Sequence, residues 1–446
     1  MISHDISYVG VDDHAIDLFE SQYHVPNGMA YNSYVIVDEK IAVIDSVDAH
    51  FTQTWLDNIR NVLGERVPDY IVVQHMEPDH SGSLIRFLET YPAAKVVASS
   101  KAFVMIRNFF NADMTERQMT VGEGDNLSLG RHTLRFITAP MVHWPEVIMT
   151  YDSADKVLFS ADAFGKFGAL DAAEDWTDEA RRYYIGIVGK YGSQVQTVLK
   201  KAAALEIRTI CPLHGPSLDG DLGQYMDLYS KWASYTPEED GILIAYTSVY
   251  GNTKKAVEQL AEMLKKAGQK ITVYDLARSD MSRAVADAFR YSKLILATTT
   301  YNNDIFPFMR EFIEHLTARG FCNRTVAIME NGSWAPSAAR VIKSLLEQSK
   351  NLTFAEPIVT LRSALSEESA AQLELLAKAL CGETCEPECE LGEKRSMSVR
   401  SAAMCMRVRR CPKILSVPSA SAEPKILKKS NQSGGNHHER NQILHL

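Results

Sequence analysis

Short apolar segments alternate strictly with segments of helical periodicity between residues 242 and 380. The apolar segments predict strands at Ile242–Tyr246, Lys270–Asp275, Leu294–Thr298, Thr325–Met329 and Pro357–Leu361. The periodic segments predict helices at Lys254–Ala267, Met281–Arg290, Phe306–Arg319, Ala338–Gln348 and Glu367–Leu380. A helix between two strands returns the chain to the end of the sheet where the first strand began, so consecutive strands run parallel. This half is therefore predicted to be a doubly wound parallel sheet, which makes the protein α/β.

The half that precedes residue 242 is predicted to be rich in strands, with helices between some of them. Residues Asn27–Ser46 predict two strands around an Asp-Glu-Lys turn, and helices are predicted at Thr52–Leu63 and Ser83–Tyr91. Other apolar runs predict strands at Tyr70–Gln74, Ala94–Ala98, Leu134–Ala139, Val147–Thr150, Val157–Ser160 and Thr209–Pro212.

The change of pattern divides the chain. At 446 residues it is too long for one ordinary domain. A polar break at Tyr235–Gly241 separates the two patterns, so the predicted domains are residues 1–238 and 239–384. Residues 385–446 are predicted to be a disordered tail, because they are basic, rich in serine and without periodicity.

Charge and cysteine content exclude several classes of protein. A formal net charge of −9 argues against nucleic acid or a membrane surface as a partner. The N-terminal residues do not resemble a secretory signal, and no run of about eighteen apolar residues predicts a membrane span. Five of the seven cysteines lie at residue 381 or beyond, so no disulfide framework is expected. We expect the protein in the reducing cytoplasm.

Four side chains that can bind a metal lie close together after the predicted strand Tyr70–Gln74. They are His75, Glu77, Asp79 and His80. Because consecutive loop residues alternate in direction, we expect the first three to converge and His80 to face a neighbouring position. A single histidine would most often be an ordinary polar residue, but four ligands in one loop predict a metal site.

Three later residues offer further ligands, each after a short apolar run and beside Gly or Pro. They are His143, Asp162 and His214. With them, the chain resembles the metallo-β-lactamase superfamily, which implies an αββα sandwich with metals at strand ends between the two sheets. Hydrolases of that superfamily carry His-x-His-x-Asp-His, where this chain has Glu77 in place of the second histidine. Because an added carboxylate makes the site harder and more anionic, we expect iron rather than zinc.

The whole pattern resembles the flavodiiron proteins. The resemblance implies two irons, each held by three side chains of its own and both bridged by Asp162. The implied sets are His75, Glu77 and His143 for one iron, and Asp79, His80 and His214 for the other. His24 is a candidate proton donor above the metals, and an ordinary surface or core histidine is the alternative.

Polar loops follow the first, third and fourth strands of the predicted parallel sheet. Ligands of such sheets bind at the carboxyl ends of the strands. Hydroxyls and backbone N–H groups at the start of the helix Lys254–Ala267 form a cradle for an anion, and a polar helix cap is the alternative. The candidate residues are Thr247, Ser248, Tyr250, Gly251, Asn252, Thr253, Thr299, Thr300, Tyr301, Asn302, Asn303, Asn331, Gly332, Ser333 and Trp334.

This half resembles the flavodoxins over its whole length. The resemblance implies that the first loop holds the phosphate of FMN and that Tyr301 and Trp334 contact the isoalloxazine ring. The third loop departs from the Gly-Ser-Tyr-Gly-Trp pattern of many relatives, which leaves the stacking partner of the ring open. The sequence has no Gly-x-Gly-x-x-Gly fingerprint and so does not predict a nicotinamide site.

Together the two halves imply an oxidoreductase that reduces dioxygen to water, nitric oxide to nitrous oxide, or both, with electrons supplied through FMN. One alternative is a hydrolase of the metallo-β-lactamase fold with a flavodoxin regulatory module. Another is an electron carrier whose first half is structural. The resemblance further implies a head-to-tail homodimer. The implied electron source is a one-electron donor protein such as rubredoxin, a reduced deazaflavin or a flavin reductase.

The tail is predicted to be a frameshifted rubredoxin domain, which would make the ancestral protein flavorubredoxin-like. With suitably chosen synonymous codons, a frame two bases later turns Met397–Arg407 into VCAKCGYVYE and Arg410–Ala420 into LPEDFVCPVC. Both strings resemble the Cys-x-x-Cys knuckles of rubredoxin, whereas Cys405 and Cys411 form no such pair. An unrelated basic tail is the alternative, and the bases of the gene from codon 395 onward decide between them.

Overall fold

Two mixed sheets form the first half of the protein; the structure, a computed structural model, describes residues 2–382. In spatial order, the strands of the first sheet are Ile6–Tyr8, Tyr34–Val37, Ile41–Ile44, Tyr70–Val73, Lys95–Ala98 and Gln118–Thr120. Those of the second are Asn126–Ser128, Thr133–Thr138, Ile148–Asp152, Val157–Phe159 and Thr209–Cys211. Two small antiparallel pairs are Val11–Asp13 with Met29–Tyr31, and Leu18–Phe19 with Tyr23–His24.

Helices cover the outer faces of both sheets. The α-helices are Thr52–Leu63, Pro78–Ser81, Leu84–Thr90, Ser100–Phe110, Trp176–Tyr183, Gly192–Ala202 and Gly223–Ala233. Short 3-10 helices lie at Ala49–Phe51 and Gly189–Tyr191, and a π-helical turn lies at Tyr184–Val188.

The two sheets face each other because successive strand residues point to opposite faces. Ile44 and Val72 of the first sheet meet Phe136 of the second in a core between the sheets. The neighbouring Val43 and Ile71 pack on the other side, under the helices. The layers are therefore helix, sheet, sheet, helix, which confirms the predicted αββα sandwich.

A third sheet forms the second half. Its strands, in spatial order, are Ile271–Asp275, Glu239–Tyr246, Tyr291–Tyr301, Arg324–Asn331 and Leu352–Phe354. Val359–Leu361 pairs with the fourth of these, and Asp304–Ile305 folds back on the third. Its helices are Asn252–Lys266, Met281–Arg290, Pro307–Ala318, Ala338–Leu345 and Glu367–Leu380. Numbered along the chain, the order is 2-1-3-4-5, the flavodoxin-like order, and the predicted parallel sheet is confirmed.

Residues Asn27–Ser46 contain three strands rather than the two predicted, because the chain leaves the sheet at Asn32 and Ser33. The side-chain amide of Asn32 donates hydrogen bonds to the carbonyl oxygens of Pro212 and Gly215, at 2.8 and 2.7 Å. The interruption thus ties the first sheet to a loop that follows a strand of the second.

The predicted loop after residue 74 is in part the short helix Pro78–Ser81. The expectation that its consecutive residues alternate in direction is therefore wrong for Asp79 and His80. Pro78 occupies the first turn, where its fixed φ suits the start of a helix.

The predicted tail at residues 385–446, its disorder and its frameshifted knuckles lie outside the described residues. No helix within residues 2–382 has the length and hydropathy needed to cross a membrane.

Candidate metal centre and flavin site

Seven side chains at strand ends of the two facing sheets converge on one centre. They are His75, Glu77, Asp79, His80, His143, Asp162 and His214. Six are buried, and the side chain of Glu77 is 15% exposed. Metal–nitrogen and metal–oxygen bonds are about 2 Å long, so donor atoms on one ion lie about 3 Å apart.

The first donor set comprises His75, Glu77 and His143. His75 Nε2 lies 3.1 Å from Glu77 Oε2 and 3.2 Å from His143 Nε2. His143 Nε2 lies 3.0 Å from the same oxygen of Glu77. These separations fit three donors around one metal ion.

The second donor set comprises Asp79, His80 and His214. His80 Nε2 lies 3.0 Å from His214 Nε2. Asp79 Oδ2 lies 3.3 Å from each of these two nitrogens. This set fits a second ion of the same kind.

Asp162 lies between the two sets. Its Oδ2 is 3.2 Å from His75 Nε2 and 3.0 Å from His143 Nε2. Its Oδ1 is 3.3 Å from His80 Nε2 and 3.7 Å from His214 Nε2. One carboxylate thus turns a different oxygen to each set, which is the arrangement of a bridging ligand.

Buried carboxylate oxygens in this centre need a positive partner. Within residues 2–382, both oxygens of Asp79 and both oxygens of Asp162 are buried without a hydrogen bond. Burying a carboxylate costs several kcal/mol unless a cation or hydrogen bonds compensate. A pair of metal ions supplies that compensation, and four imidazoles with three carboxylates suit iron. The residues therefore fit a diiron centre.

The histidines and carboxylates alter one another's protonation. Burial opposes a charge on His143, but the nearby carboxylates of Asp162 and Glu77 raise its pKa to about 9. Burial also opposes a charge on Glu77, but contacts with His143 and His75 hold its pKa well below the usual range. Glu77 is thus ionised, as a carboxylate ligand of a cation must be.

Backbone hydrogen bonds hold the donor loops together. The N–H group of Leu213, beside His214, donates to the carbonyl of Ala161, beside Asp162, at 2.9 Å. The N–H group of Asn32 donates to the carbonyl of Leu213 at 2.8 Å. Ala161 adopts the left-handed conformation, with φ 51°, which is rare for a residue with a Cβ and is maintained by this bonding.

Two hydrogen-bond acceptors contact the outer nitrogens of the imidazoles, that is, the Nδ1 atoms, which are not the ring nitrogens that meet in the donor sets. Glu146 Oε1 lies 2.8 Å from His75 Nδ1, and the carbonyl of Ala30 lies 2.7 Å from His214 Nδ1. The sequence analysis missed Glu146. The sequence does contain a feature that could have indicated it, since this carboxylate stands three residues after the ligand His143 in His-Trp-Pro-Glu.

Aromatic rings enclose the centre and were also missed. Phe19, Tyr31 and Tyr183 surround His214, with ring centroids 5.4, 6.1 and 5.4 Å away. Trp144 meets His75 edge to face at 5.1 Å. These rings come from distant parts of the chain and exclude water from the imidazoles.

The structure does not bring His24 into the centre. It lies exposed on the strand Tyr23–His24, and within residues 2–382 its side chain forms no hydrogen bond. The same small hairpin instead carries Glu20 towards Glu77. Partial loss of hydration and the charge of Glu77 raise the pKa of Glu20 to about 7.

A cavity of about 510 Å³ opens at the carboxyl ends of the parallel strands. Cofactor cavities typically measure about 300–1,000 Å³, so its size suits FMN. Thirteen of the fifteen predicted residues line it: Ser248, Tyr250, Asn252, Thr253, Thr299, Thr300, Tyr301, Asn302, Asn303, Asn331, Gly332, Ser333 and Trp334. Thr247 and Gly251 do not, because Thr247 is buried against Thr298, at 2.6 Å between hydroxyl oxygens, and Gly251 forms the turn.

The first loop has the form of an anion cradle. Ser248 Oγ accepts hydrogen bonds from the N–H groups of Gly251 and Lys254, at 3.1 and 3.2 Å, which leaves its own proton free to donate. Gly251 has φ 88°, a conformation that suits glycine. The helix Asn252–Lys266 begins here, and its first two residues line the cavity, so a phosphate bound there would lie at a helix N-terminus, where an anion is favoured.

The outer rim of the cavity is aromatic and open. Tyr250 is 93% exposed and Trp334 is 87% exposed, whereas Thr253 at the base is 1% exposed. Ser363 also lines the cavity and was missed. It follows the strand Val359–Leu361, so the strand-end rule used for the other loops would have found it.

Comparisons with known proteins agree with this description. The family model described as ODP family beta lactamase matches residues 29–215, and the model described as Flavodoxin matches residues 244–384. An anaerobic nitric oxide reductase flavorubredoxin of Escherichia coli is 28% identical over 361 residues, which are 78% of this chain and 75% of that protein.

The flavodiiron protein of Giardia intestinalis is 25% identical, with a TM-score of 0.76 over 85% of this chain and 95% of its own. The chain is thus similar to the flavodiiron proteins over most of its length. Rubredoxin oxygen:oxidoreductase of Desulfovibrio gigas shares the fold, with a TM-score of 0.79 and 24% identity over 86% of this chain and 97% of its own. The family resemblance inferred from the sequence is thus confirmed, and with it the implied cofactors, FMN and a diiron centre.

Proposed function

We propose that this protein reduces dioxygen to water, nitric oxide to nitrous oxide, or both, with electrons supplied through FMN. The observation that carries the proposal is Asp162, whose two oxygens face two separate donor sets in a chain that also contains a flavin-sized cavity. The Escherichia coli relative is named as a nitric oxide reductase, and the Desulfovibrio gigas protein as an oxygen oxidoreductase. Both substrates therefore stay open.

Separate sets of residues bind the two irons and FMN in this proposal. His75, Glu77 and His143 hold one iron, Asp79, His80 and His214 hold the other, and Asp162 bridges them. A pair of iron ions held there would supply a binding site for a diatomic gas and the electrons for its reduction, and FMN held in the cavity would supply electrons to the irons. Ser248 and Thr253 hold the phosphate of FMN, and Tyr301 and Trp334 contact its ring.

The protein also controls access to the centre. Phe19 and Tyr183 pack against His214 and keep water from the second set. The side chains of Glu77 and Asp79 are the more exposed ligands, at 15% and 10%. We therefore place the entry of the gas and of protons on the side of these two carboxylates.

Hydrolysis by a metal-bound hydroxide is the competing proposal. Glu77 argues against it, because its oxygen occupies a donor position where hydrolases of this fold carry an imidazole. The intact flavin cavity argues against it as well, since hydrolysis requires no electrons.

Anaerobic stopped-flow tests the proposal. The dithionite-reduced protein is mixed separately with O2 and with NO, and the products are measured. Reduced FMN alone converts O2 to hydrogen peroxide, so the control is His80→Asn, which keeps the flavin cavity. We expect water or nitrous oxide from the natural chain, and peroxide with little nitrous oxide from the variant. Equal rates and equal products would refute catalysis at the metal centre.

We further propose the head-to-tail homodimer, an electron donor such as rubredoxin, a reduced deazaflavin or a flavin reductase, and domain limits at residues 1–238 and 239–384. The exposed rim formed by Tyr250 and Trp334 supports contact with a second copy or a donor at the flavin. The strand Glu239–Tyr246 supports the limit between the domains. Sedimentation of the purified protein tests the dimer.

A further inference from the structure

The two donor sets are equal in composition. Each has two imidazoles, one carboxylate of its own and one oxygen of Asp162. Their ligand types therefore do not distinguish the two metal positions, and any difference must come from what contacts the ligands.

The outer contacts of the imidazoles are unequal. His75 Nδ1 lies 2.8 Å from a carboxylate oxygen of Glu146. His214 Nδ1 lies 2.7 Å from a neutral acceptor, the carbonyl of Ala30. His80 Nδ1 is buried and has no hydrogen-bond partner within residues 2–382. The charged contact thus stands on the side of the first set.

Glu146 is held firmly in this position. It is 2% exposed, and the oxygen that faces His75 also accepts a hydrogen bond from the N–H group of Met76 at 2.9 Å. The hydroxyl of Ser99 donates to its backbone carbonyl at 2.8 Å. The carboxylate therefore fixes His75 in the tautomer with the proton on Nδ1, which leaves the Nε2 lone pair directed at the donor set.

We propose that Glu146 is a positioning residue that makes the two metal positions unequal, so that the set containing His75 binds its iron more tightly than the set containing His80. A carboxylate on the outer nitrogen orients the ring and makes the inner nitrogen a stronger donor. The neutral carbonyl at His214 Nδ1 increases the donor strength of that ring less than a carboxylate does. His80 has no acceptor at its Nδ1 among the described residues, so its donor strength is not increased in this way. The inference rests on the proposed diiron site.

Half-site variants of the full chain test the inference. His214→Ala leaves only the first set complete, and His143→Ala leaves only the second. Each variant is titrated anaerobically with ferrous iron alone, in competition with a coloured chelator. Removal of an outer carboxylate typically weakens metal binding about 10–100-fold. We therefore expect His214→Ala to bind iron at least about tenfold more tightly than His143→Ala.

Glu146→Gln, introduced into both backgrounds, isolates the effect of charge. The amide keeps an acceptor for His75 and Met76 but loses the negative charge. We expect iron affinity to fall about tenfold or more with His214→Ala and to change less than about twofold with His143→Ala. Glu146→Asp keeps the charge and should restore part of the loss, which a merely structural effect would not do.

The possible results distinguish failure of the inference from failure of the proposed function. Equal losses in both backgrounds, or equal affinity of the two half-sites, overturn the inference while leaving the proposed reductase intact. If neither half-site binds iron although the natural chain does, the inference is overturned; if the natural chain itself binds no iron, the proposed function is overturned. Circular dichroism and the Tm report folding in every variant. If Glu146→Gln fails to fold, the comparison of the two half-sites still decides.

Discussion

Replacing Thr253 by valine separates the phosphate contact from the packing of the flavin site. Thr253 is 1% exposed, lies in the first turn of the helix Asn252–Lys266 and lines the cavity. Valine has nearly the same shape, with a methyl group where threonine has its hydroxyl. The variant therefore removes a hydrogen-bond donor without opening a void.

The expected loss follows from one charged hydrogen bond. Such a bond contributes about 1.5–3 kcal/mol, and about 1.4 kcal/mol corresponds to a factor of ten. The Kd for FMN should therefore rise about ten- to a hundredfold. Loss of the contact from Asn331 Nδ2, at 3.3 Å, adds little, because that amide also donates to the carbonyl of Ser363 at 2.9 Å.

Titration of the flavin-free protein with FMN, followed by flavin fluorescence, measures the effect. Thr253→Ser is the matched control, since it keeps the hydroxyl, and Thr253→Ala should behave like the valine variant. Riboflavin lacks the phosphate, so its affinity should not change. An unchanged FMN affinity in Thr253→Val, or an equal loss with riboflavin, would show that the phosphate lies elsewhere.

Other substitutions test the remaining parts of the site. Asp162→Asn should lower the iron content of the purified protein and abolish turnover while flavin absorbance stays unchanged; parallel loss of FMN would contradict two separate sites. Glu77→His restores the ligand pattern of the hydrolases and should lower the ratio of iron to zinc, measured by mass spectrometry; an unchanged ratio would show that this carboxylate does not select the metal. Trp334→Ala should weaken FMN binding by about 0.5–1.5 kcal/mol without changing the Tm of the flavin-free protein, because the ring is exposed; a large fall in Tm would contradict the expected stacking role.

The fold could be predicted wherever the determining pattern is local. The five predicted strand–helix units of the parallel sheet are contiguous runs with their own periodicity, and they were found within a few residues; the short strand Leu352–Phe354 was not predicted. The strands Gln118–Thr120 and Asn126–Ser128 were not named, because each has at most one buried residue. Their pairing depends on neighbours that the sequence does not place.

The metal site was predictable for a related reason. Ligands at the ends of adjacent strands meet, and Asp162 and His214 each stand just beyond a short apolar run. Tyr183 and Glu20 act on the same site, but neither follows a strand of the two main sheets. Their position depends on how a helix and a small hairpin fold over the centre, which periodicity does not reveal.

The two sites differ in exposure in a way that fits the proposed division of labour. The metal ligands are almost wholly buried, and even Glu77 exposes only 15% of its side chain. The rim of the flavin cavity is open, with Tyr250 exposed at 93% and Trp334 at 87%. A diatomic gas needs no wide entrance, and a dry site strengthens the interactions that hold charge there. Electrons, in contrast, come from another molecule that must approach the flavin ring. The open rim therefore suits the site that receives electrons, and the closed centre suits the site where those electrons reduce the gas.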